Sequence, residues 1–314
     1  MTVRVYRWDD ASAPVLTGEV GKLSALLKAC LVTGYGSKTA AGWSNPYSAT
    51  NVEAFKNASG GSQLGIKVTH AVAQYPRVAG FETIDGSGVI ANQFPTEAQL
   101  SGGVYWCVSA TADTTARPWV VIADEWAFYL YIGHDRSVAQ GITGATGYQM
   151  SFFAGDINSF KGGDVYHFLL IGGTSASASA CSYLGQAGYT IGIAANGHYL
   201  ARSYTQTGSA IQAGKMQDYG TTSGGGTIGA GSITYPDPVS GGMLLLPVRV
   251  CEVSASVVRG EMPGMLAPSH ALPGASGDTF SGYGALSGKT FVLIDVANGS
   301  TRGRAAVQTN GSWR

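Results

Sequence analysis

From about residue 60 onward, short runs of aromatic and β-branched residues alternate with glycine-bearing breaks, and this rhythm most constrains the fold. Such runs are short for helices and rich in the residues that fit a pleated, half-buried surface. The clearest case is "RPWVVIADEWAFYLYIG", where runs 119–123 and 126–132 flank Asp124 and Glu125. Two strands around so tight a link read as a β-hairpin. "YQMSFFAGDI" and "DVYHFLLIGG" form another pair, divided by "NSFKGG". "YTIGIAANGHYLARSYT" and "KTFVLIDVANGSTRGRAAVQT" carry the hairpin-turn dipeptides Asn196-Gly197 and Asn298-Gly299 between their runs. "LGIKVTHAVAQ" alternates with the strand period, and "GGVYWCVSATA" has strand composition. Connections this short leave no room for helical crossovers, so antiparallel pairing is expected. Glycine makes up 46 of the 314 residues, against a typical share of about 7%.

The N-terminal part reads differently. Leu23, Leu26, Leu27, Cys30 and Leu31 recur at helical spacing and form one apolar stripe. Thr17 is placed to N-cap this helix, Glu19 to favour its first turn and Gly34 to close it. A second short helix is expected over 49–57, "ATNVEAFKN". Residues 214–242, glycine-rich with Pro236 and Pro238, read as a long exposed loop or a linker. In "MLLLPVRVCEV", Pro247 suits a strand at an edge or a bend. "RGEMPGMLAPSHALPGASGD" reads as irregular, and "SASASA" (175–180) as a surface loop. No fixed-period repeat argues for a solenoid or a propeller.

The predicted fold is therefore mainly β, an antiparallel β-sandwich-like arrangement with one short N-terminal amphipathic helix. The expected divisions are a strand–helix segment over 1–60, a main β domain over 61–240, and C-terminal β hairpins over 241–314 that adjoin or continue that domain.

Charge narrows the possible partners. Lys+Arg and Asp+Glu number 19 each, and charged residues are only 12% of the chain, about half the usual share. A nucleic-acid binder needs a basic excess or stripe, so none is expected. No run of eighteen apolar residues exists, so no membrane insertion is expected. "MTVRVYRWDD" carries charges where a secretory apolar core would lie. A weakly charged surface resists self-association poorly, which favours a subunit covered by partners. Cys30, Cys107, Cys181 and Cys251 are scattered, with no C-x-x-C pair, and read as buried thiols.

Candidate chemistry is sparse. "GYGALSGKTFVLIDV" ends like a phosphate-binding loop at Gly288, Lys289 and Thr290, but Tyr283 stands where the first glycine belongs. Such a loop must run into a helix, whereas "FVLIDV" reads as a strand. His70, His134, His167, His198 and His270 form no metal-binding spacing, and "GHD" (133–135) reads as a turn. No G-x-S-x-G elbow nominates a nucleophilic serine. Adjacent Asp124 and Glu125 would point to opposite faces of a strand and read as solvated turn residues. Asp156 and Asp164 also read as turn residues. Trp106, Trp119, Trp126 and Tyr131 could form a sugar-stacking platform, but core burial is the simpler reading. No catalytic, cofactor-binding or metal-binding residue is nominated, no cofactor is expected, and the chain reads as a non-enzyme.

The segment "YRWDDASAPVLTGEVGKLSALLKACLVTGYGSKTAAGW" resembles the start of a group of virion proteins of tailed bacteriophages. There a "D-x-x-A-P-x-L-T-G" strand, a leucine-rich helix and "V-x-G-Y-G-x-K-x-x-A-G-W" follow in that order. "SATADTTARPWVVIAD", "FFAGDINSFKGGDVY", "GHYLARSYTQTG" and "DTFSGYGALSGKTFVLI" also resemble the group, so the likeness spans most of the chain. It implies a structural subunit of the virion, a tail, baseplate or fibre-attachment component assembled in the host cytoplasm. It implies other virion proteins, copies of the same chain and host surface glycan as partners. The alternatives are a head-decoration or minor capsid protein, or an adsorption protein that binds carbohydrate or cleaves polysaccharide. The resemblance transfers no catalytic residue.

Overall fold

The two runs around Asp124 and Glu125 fold as the hairpin their composition predicts, and that hairpin lies at the centre of the molecule. The computed structural model describes residues 1–133, 150–176, 197–216, 236–239, 241–268, 277–295 and 304–314. The chain begins with β1 (Arg4–Arg7), helix α1 (Lys22–Lys28) and a π-helical extension over Ala29–Thr33. Strands β2 (Ser44–Ala49), β3 (Val52–Lys56), β4 (Gly65–Thr69), β5 (Arg77–Phe81), β6 (Thr83–Ile84), β7 (Ile90–Ala91) and β8 (Val104–Tyr105) follow. The centre is β9 (Trp119–Ala123), β10 (Ala127–Ile132), β11 (Met150–Asp156), β12 (Asn158–Ser159), β13 (Phe168–Ile171) and β14 (His198–Leu200). The C-terminal part is β15 (Ile211–Met216), β16 (Leu245–Glu252), β17 (Val257–Pro268), β18 (Thr279–Ser281), β19 (Thr290–Asp295) and β20 (Arg304–Gln308).

One 13-stranded sheet runs β1-β9-β10-β11-β13-β14-β15-β16-β17-β20-β19-β18, with β12 paired to β17. A second sheet, β2-β3-β4-β5-β8, has five strands, and β6 and β7 form a separate pair. The pairing is antiparallel, as the short connections require.

Strand periodicity explains how the layers stack. In β10, Phe128, Leu130 and Ile132 enter a core shared with α1 and the five-stranded sheet. Ala127, Tyr129 and Tyr131, on the other face, enter a second core. That second core is closed by the same large sheet curling back, through Val248, Val250, Met262, Val292 and Val307. The Tyr129 hydroxyl donates to the Pro263 carbonyl (2.8 Å), and the Tyr129 ring meets Trp313 edge-on at 5.5 Å. The two halves of one sheet thus face each other across a shared core, which is the sandwich-like arrangement expected.

Helix α1 buries the leucine stripe as its spacing requires, with Leu23, Leu26, Leu27, Cys30 and Leu31 fully buried. Its start differs from expectation. Thr17 does not cap it, because the helix begins only at Lys22 and the Thr17 oxygen accepts the Glu19 N–H (3.2 Å) while its hydroxyl donates to the Glu19 carboxylate (2.8 Å). The N-cap is Gly21, in the left-handed region at φ 79°. The orphan N–H of Leu23 finds Nδ1 of His70 (3.2 Å), a residue 47 positions away. The end is as expected, with Gly34 at φ 78° donating its N–H to the Ala29 carbonyl (2.8 Å). Leu27→Ala is expected to cost about 2–5 kcal/mol, the usual penalty for a cavity in a packed core. Urea denaturation with an unchanged slope would measure it.

The His70 cap works only while the imidazole is neutral, and burial lowers its pKa from 6.5 to about 4. A depressed histidine contributes stability that is complete above the unfolded value and is lost as pH falls toward the folded one. Between pH 7 and pH 5 the protein should therefore lose on the order of 2 kcal/mol from this group. His70→Phe should remove that part of the slope, readable as flatter pH-dependent urea midpoints.

Two further expectations are corrected. Residues 49–57 form no helix: β2 and β3 pair through a turn in which Asn51 sits at φ 59°. The helix-favouring Glu53, Ala54 and Lys56 are overruled because β3 has a partner on each side, β2 and β4. "RGEMPGMLAP" is not simply irregular but lies in β17, whose pairing with β16 slips between Pro247 and Arg249. The slip is a bulge over 262–265, in which Gly264 takes φ 66° and a side chain there would collide with the Trp313 ring. Pro247 sits at this bend, beyond the reach of β15, which pairs only with 249–252. The C-terminal hairpin forms through β19 and β20, while its Asn298-Gly299 turn, Asn196 of the Asn196-Gly197 turn and most of 214–242 lie outside the described residues.

Candidate functional site

The carboxylates that read as solvated turn residues are structural anchors instead. Asp124 is fully buried. It accepts the N–H groups of Trp126 and Ala127 (2.8 Å each) and is ion-paired to Nη1 of Arg314. Burial pushes its carboxyl pKa up, while Arg314 and the two N–H donors oppose the rise. Arg314 also donates to the Asp156 carbonyl (2.5 Å) and lies over the Trp126 ring at 5.1 Å. Glu125 is half-buried and pairs with Arg4 (3.1 Å).

Asp156 is buried as well, and it accepts the Ser62 N–H (2.7 Å) and hydroxyl (2.5 Å). On its other side stands Nε2 of His167 (3.3 Å), whose Nδ1 meets the Asp164 carbonyl. Burial alone would lower the His167 pKa, but the hydrogen bond and charge of Asp156 raise it. Ser62, Asp156 and His167 are thus gathered, yet the carboxylate stands between serine and imidazole. A nucleophilic triad needs the base on the serine oxygen, and here the serine hydroxyl is committed to a carboxylate.

Asp164 belongs to a buried ionic cluster. Nη2 of Arg259 reaches it at 2.6 Å, and Nη1 of Arg259 is ion-paired to Glu252. Nη1 also donates to the Arg202 carbonyl (2.9 Å). Burial raises the Asp164 carboxyl, but hydrogen bonds from Arg259 and Ser159 and the Arg259 charge hold it below its usual range. Nothing in the local sequence marks Arg259, Glu252 or Arg202, because their partners are brought together only by the fold.

The remaining candidates fall mostly into the core. Trp106, Trp119 and Tyr131 are buried, so only half-buried Trp126 keeps any outward surface. Cys30, Cys107 and Cys251 are buried thiols, while Cys181, His134, His270 and all of "GHD" but Gly133 lie outside the described residues. Gly288 and Lys289 lead straight into the strand β19 and not into an α-helix, and the earlier Gly282 and Gly284 stand at a single 3-10 turn over Gly284–Leu286. Among the described residues no group of three His, Cys, Asp or Glu side chains is arranged to hold a metal ion, and no helix is long and apolar enough to cross a membrane.

Two surface features stand out. The first is a cleft of about 250 Å³ between residues 82–97 and the loop 201–210, lined by Glu82, Asn92, Gln93, Thr96, Glu97 and Ser209 among others. Arg202 clamps the walls together, donating to both Glu82 oxygens (2.5 and 2.7 Å) and lying over the Tyr166 ring at 4.3 Å. The Gln99 side chain makes a second tie to the Ala210 carbonyl (2.8 Å). Hydrogen bonds from Gln93, Ser101 and the Gly102 N–H lower the pKa of Glu97. A glycosidic general acid needs the opposite shift, so Glu97 is suited to accept hydrogen bonds.

The second feature is the outer face of the C-terminal sheet. Along β19, Val292 and Ile294 point into the second core, while Phe291 and Leu293 point away from it. With Ala306 they form a third apolar cluster, flanked by half-buried Met243, Leu245, Leu266, Phe280 and Leu286. Phe280 stacks on Phe291 at 5.3 Å. Leu244 and Leu246 are 42% and 40% exposed, and Tyr283 is 93% exposed.

No protein-family model matches the chain, and no curated protein matches it either.

Proposed function

We propose that the protein is a non-enzymatic structural subunit of a tailed-phage virion, a component of the tail, baseplate or fibre attachment. It would work through contacts with other virion proteins and with copies of itself. The observation that carries this reading is the C-terminal sheet, which is apolar on both faces. One face fills the core between the two halves of the large sheet. The other holds the Phe291–Leu293–Ala306 cluster with exposed Leu244 and Leu246 beside it. Those three side chains are themselves buried, so the apolar surface offered there is that of Leu244 and Leu246, and exposed apolar side chains on a weakly charged protein favour association. The motif likeness to phage virion proteins along most of the chain supports the same reading, as does the use of the buried charges as internal struts.

The test is mass spectrometry of purified phage particles separated into heads and tails, with light scattering of the chain expressed alone. The expected result is presence in the tail fraction and a stable oligomer in solution. A monomer absent from purified particles would overturn the proposal, and so would turnover of a host polysaccharide.

A further inference from the structure

We propose that the cleft between residues 82–97 and 201–210 binds a neutral saccharide unit. Four observations carry this inference. First, the walls are held in place before any ligand arrives, by the bidentate Arg202–Glu82 pair and by the Gln99–Ala210 hydrogen bond. A preformed site loses little to ordering on binding. Second, the lining sets a group of acceptors beside apolar surface from Ala201 and Ala210, the mixed character of a sugar ring's own edge and face. The Asn92 amide nitrogen is committed to Glu82 (2.8 Å) and that of Gln93 to the Pro95 carbonyl (3.0 Å). Each amide oxygen can accept, Asn92 keeps a second N–H to donate, and the Glu97 carboxylate, already accepting from Gln93, Ser101 and Gly102, adds its remaining acceptor capacity. The hydroxyls of Thr96 and Ser209 can accept or donate. A matching ligand must bring several donors spread around its rim, as the hydroxyls of a sugar ring do.

Third, charge discriminates among donor-rich ligands. Two carboxylates line the cleft, which opposes phosphate, sulfate or acidic sugars. Arg202 already pairs with Glu82, so no concentrated negative site remains to single out a cation. Among the described residues no metal-binding cluster exists there or elsewhere. Fourth, at about 250 Å³ the cleft is smaller than a drug-sized pocket, which starts at roughly 300 Å³. It suits one ring and not an extended apolar molecule.

The experiment is a glycan array of neutral and anionic oligosaccharides probed with the full chain. Saturation-transfer NMR and titration on the strongest neutral ligand follow. Ser209 is exposed on one wall, so Ser209→Trp should fill the cleft without disturbing the core. Ser287→Trp, at an exposed position near β19, is the control. Binding of a neutral oligosaccharide is expected, weakened at least about tenfold by Ser209→Trp, an affinity loss of 1.4 kcal/mol or more, and unchanged by Ser287→Trp. Both variants should keep the parent melting temperature. Binding to no glycan, binding to anionic glycans only, or binding that Ser209→Trp leaves intact would each overturn the inference.

Discussion

Arg259→Met should destabilise the protein by about 4–5 kcal/mol, the upper range for removing one partner from a buried ionic cluster. Arg259 is 1% exposed at its side chain, and its guanidinium is the shared partner of Asp164 and Glu252, themselves 1% and 0% exposed. Without it, two carboxylates would stand in the interior with no cation to offset their desolvation. The lost bond to the Arg202 carbonyl would add to the cost. Asp164 is held in its charged form largely by Arg259, so in the variant its pKa should rise. A carboxyl with a raised folded pKa stabilises below its unfolded value, and that stabilisation is lost as pH rises. The deficit should therefore shrink in acid. The triple variant Arg259→Met, Glu252→Gln, Asp164→Asn should recover much of the loss, since neutral replacement of a whole buried cluster is far cheaper than breaking it. Urea midpoints of the three proteins at pH 7 and pH 5 would measure both effects. A single variant as stable as the parent would show that the cluster is not needed.

Arg314→Met should cost about 3–4 kcal/mol, for a similar reason at a different place. Asp124 is fully buried in the turn between β9 and β10, and Arg314 is its cationic partner. The same guanidinium ties down the Asp156 carbonyl at the end of β11 and covers the Trp126 ring. Burial already raises the Asp124 pKa against the pull of Arg314, so removing the arginine should raise it further. The variant's deficit should be largest near neutrality and should shrink as pH falls and the carboxyl takes up a proton. Adding Asp124→Asn should restore part of the stability at pH 7, because an amide still accepts from the Trp126 and Ala127 N–H groups. Thermal melts from pH 4 to pH 8 would follow the trend. A pH-independent deficit would assign the loss to the Trp126 contact and not to the charge.

The difference between legible and hidden features follows from the range of the forces involved. The β9–β10 hairpin is readable because its information is local, with two apolar strands and a turn between them. Strand β10 gives no alternating pattern, because Phe128, Leu130 and Ile132 enter one core while Tyr129 and Tyr131 enter the other. Composition still marks it as a strand. Residues 49–57 mislead because Glu53, Ala54 and Lys56 carry helix propensity, which is worth only tenths of a kcal/mol per residue, while pairing on both edges of β3 outweighs it. The charges mislead for the opposite reason. A lone Asp beside a turn looks solvated, and only the arrival of Arg314, 190 residues later, buries it.

The sequence alone determined the strand-and-glycine architecture, the antiparallel pairing, the buried face of α1 and the strand that follows Lys289. Each depends on residues within a few positions of one another, where steric preference and apolar period act directly. Only the tertiary structure decided that His70 caps α1, that Asp124, Asp156 and Asp164 are interior anchors, and that a polar cleft lies between 82–97 and 201–210. Those features join residues tens to hundreds of positions apart, and a charge or an acceptor acquires its role only when the fold removes water and supplies its partner.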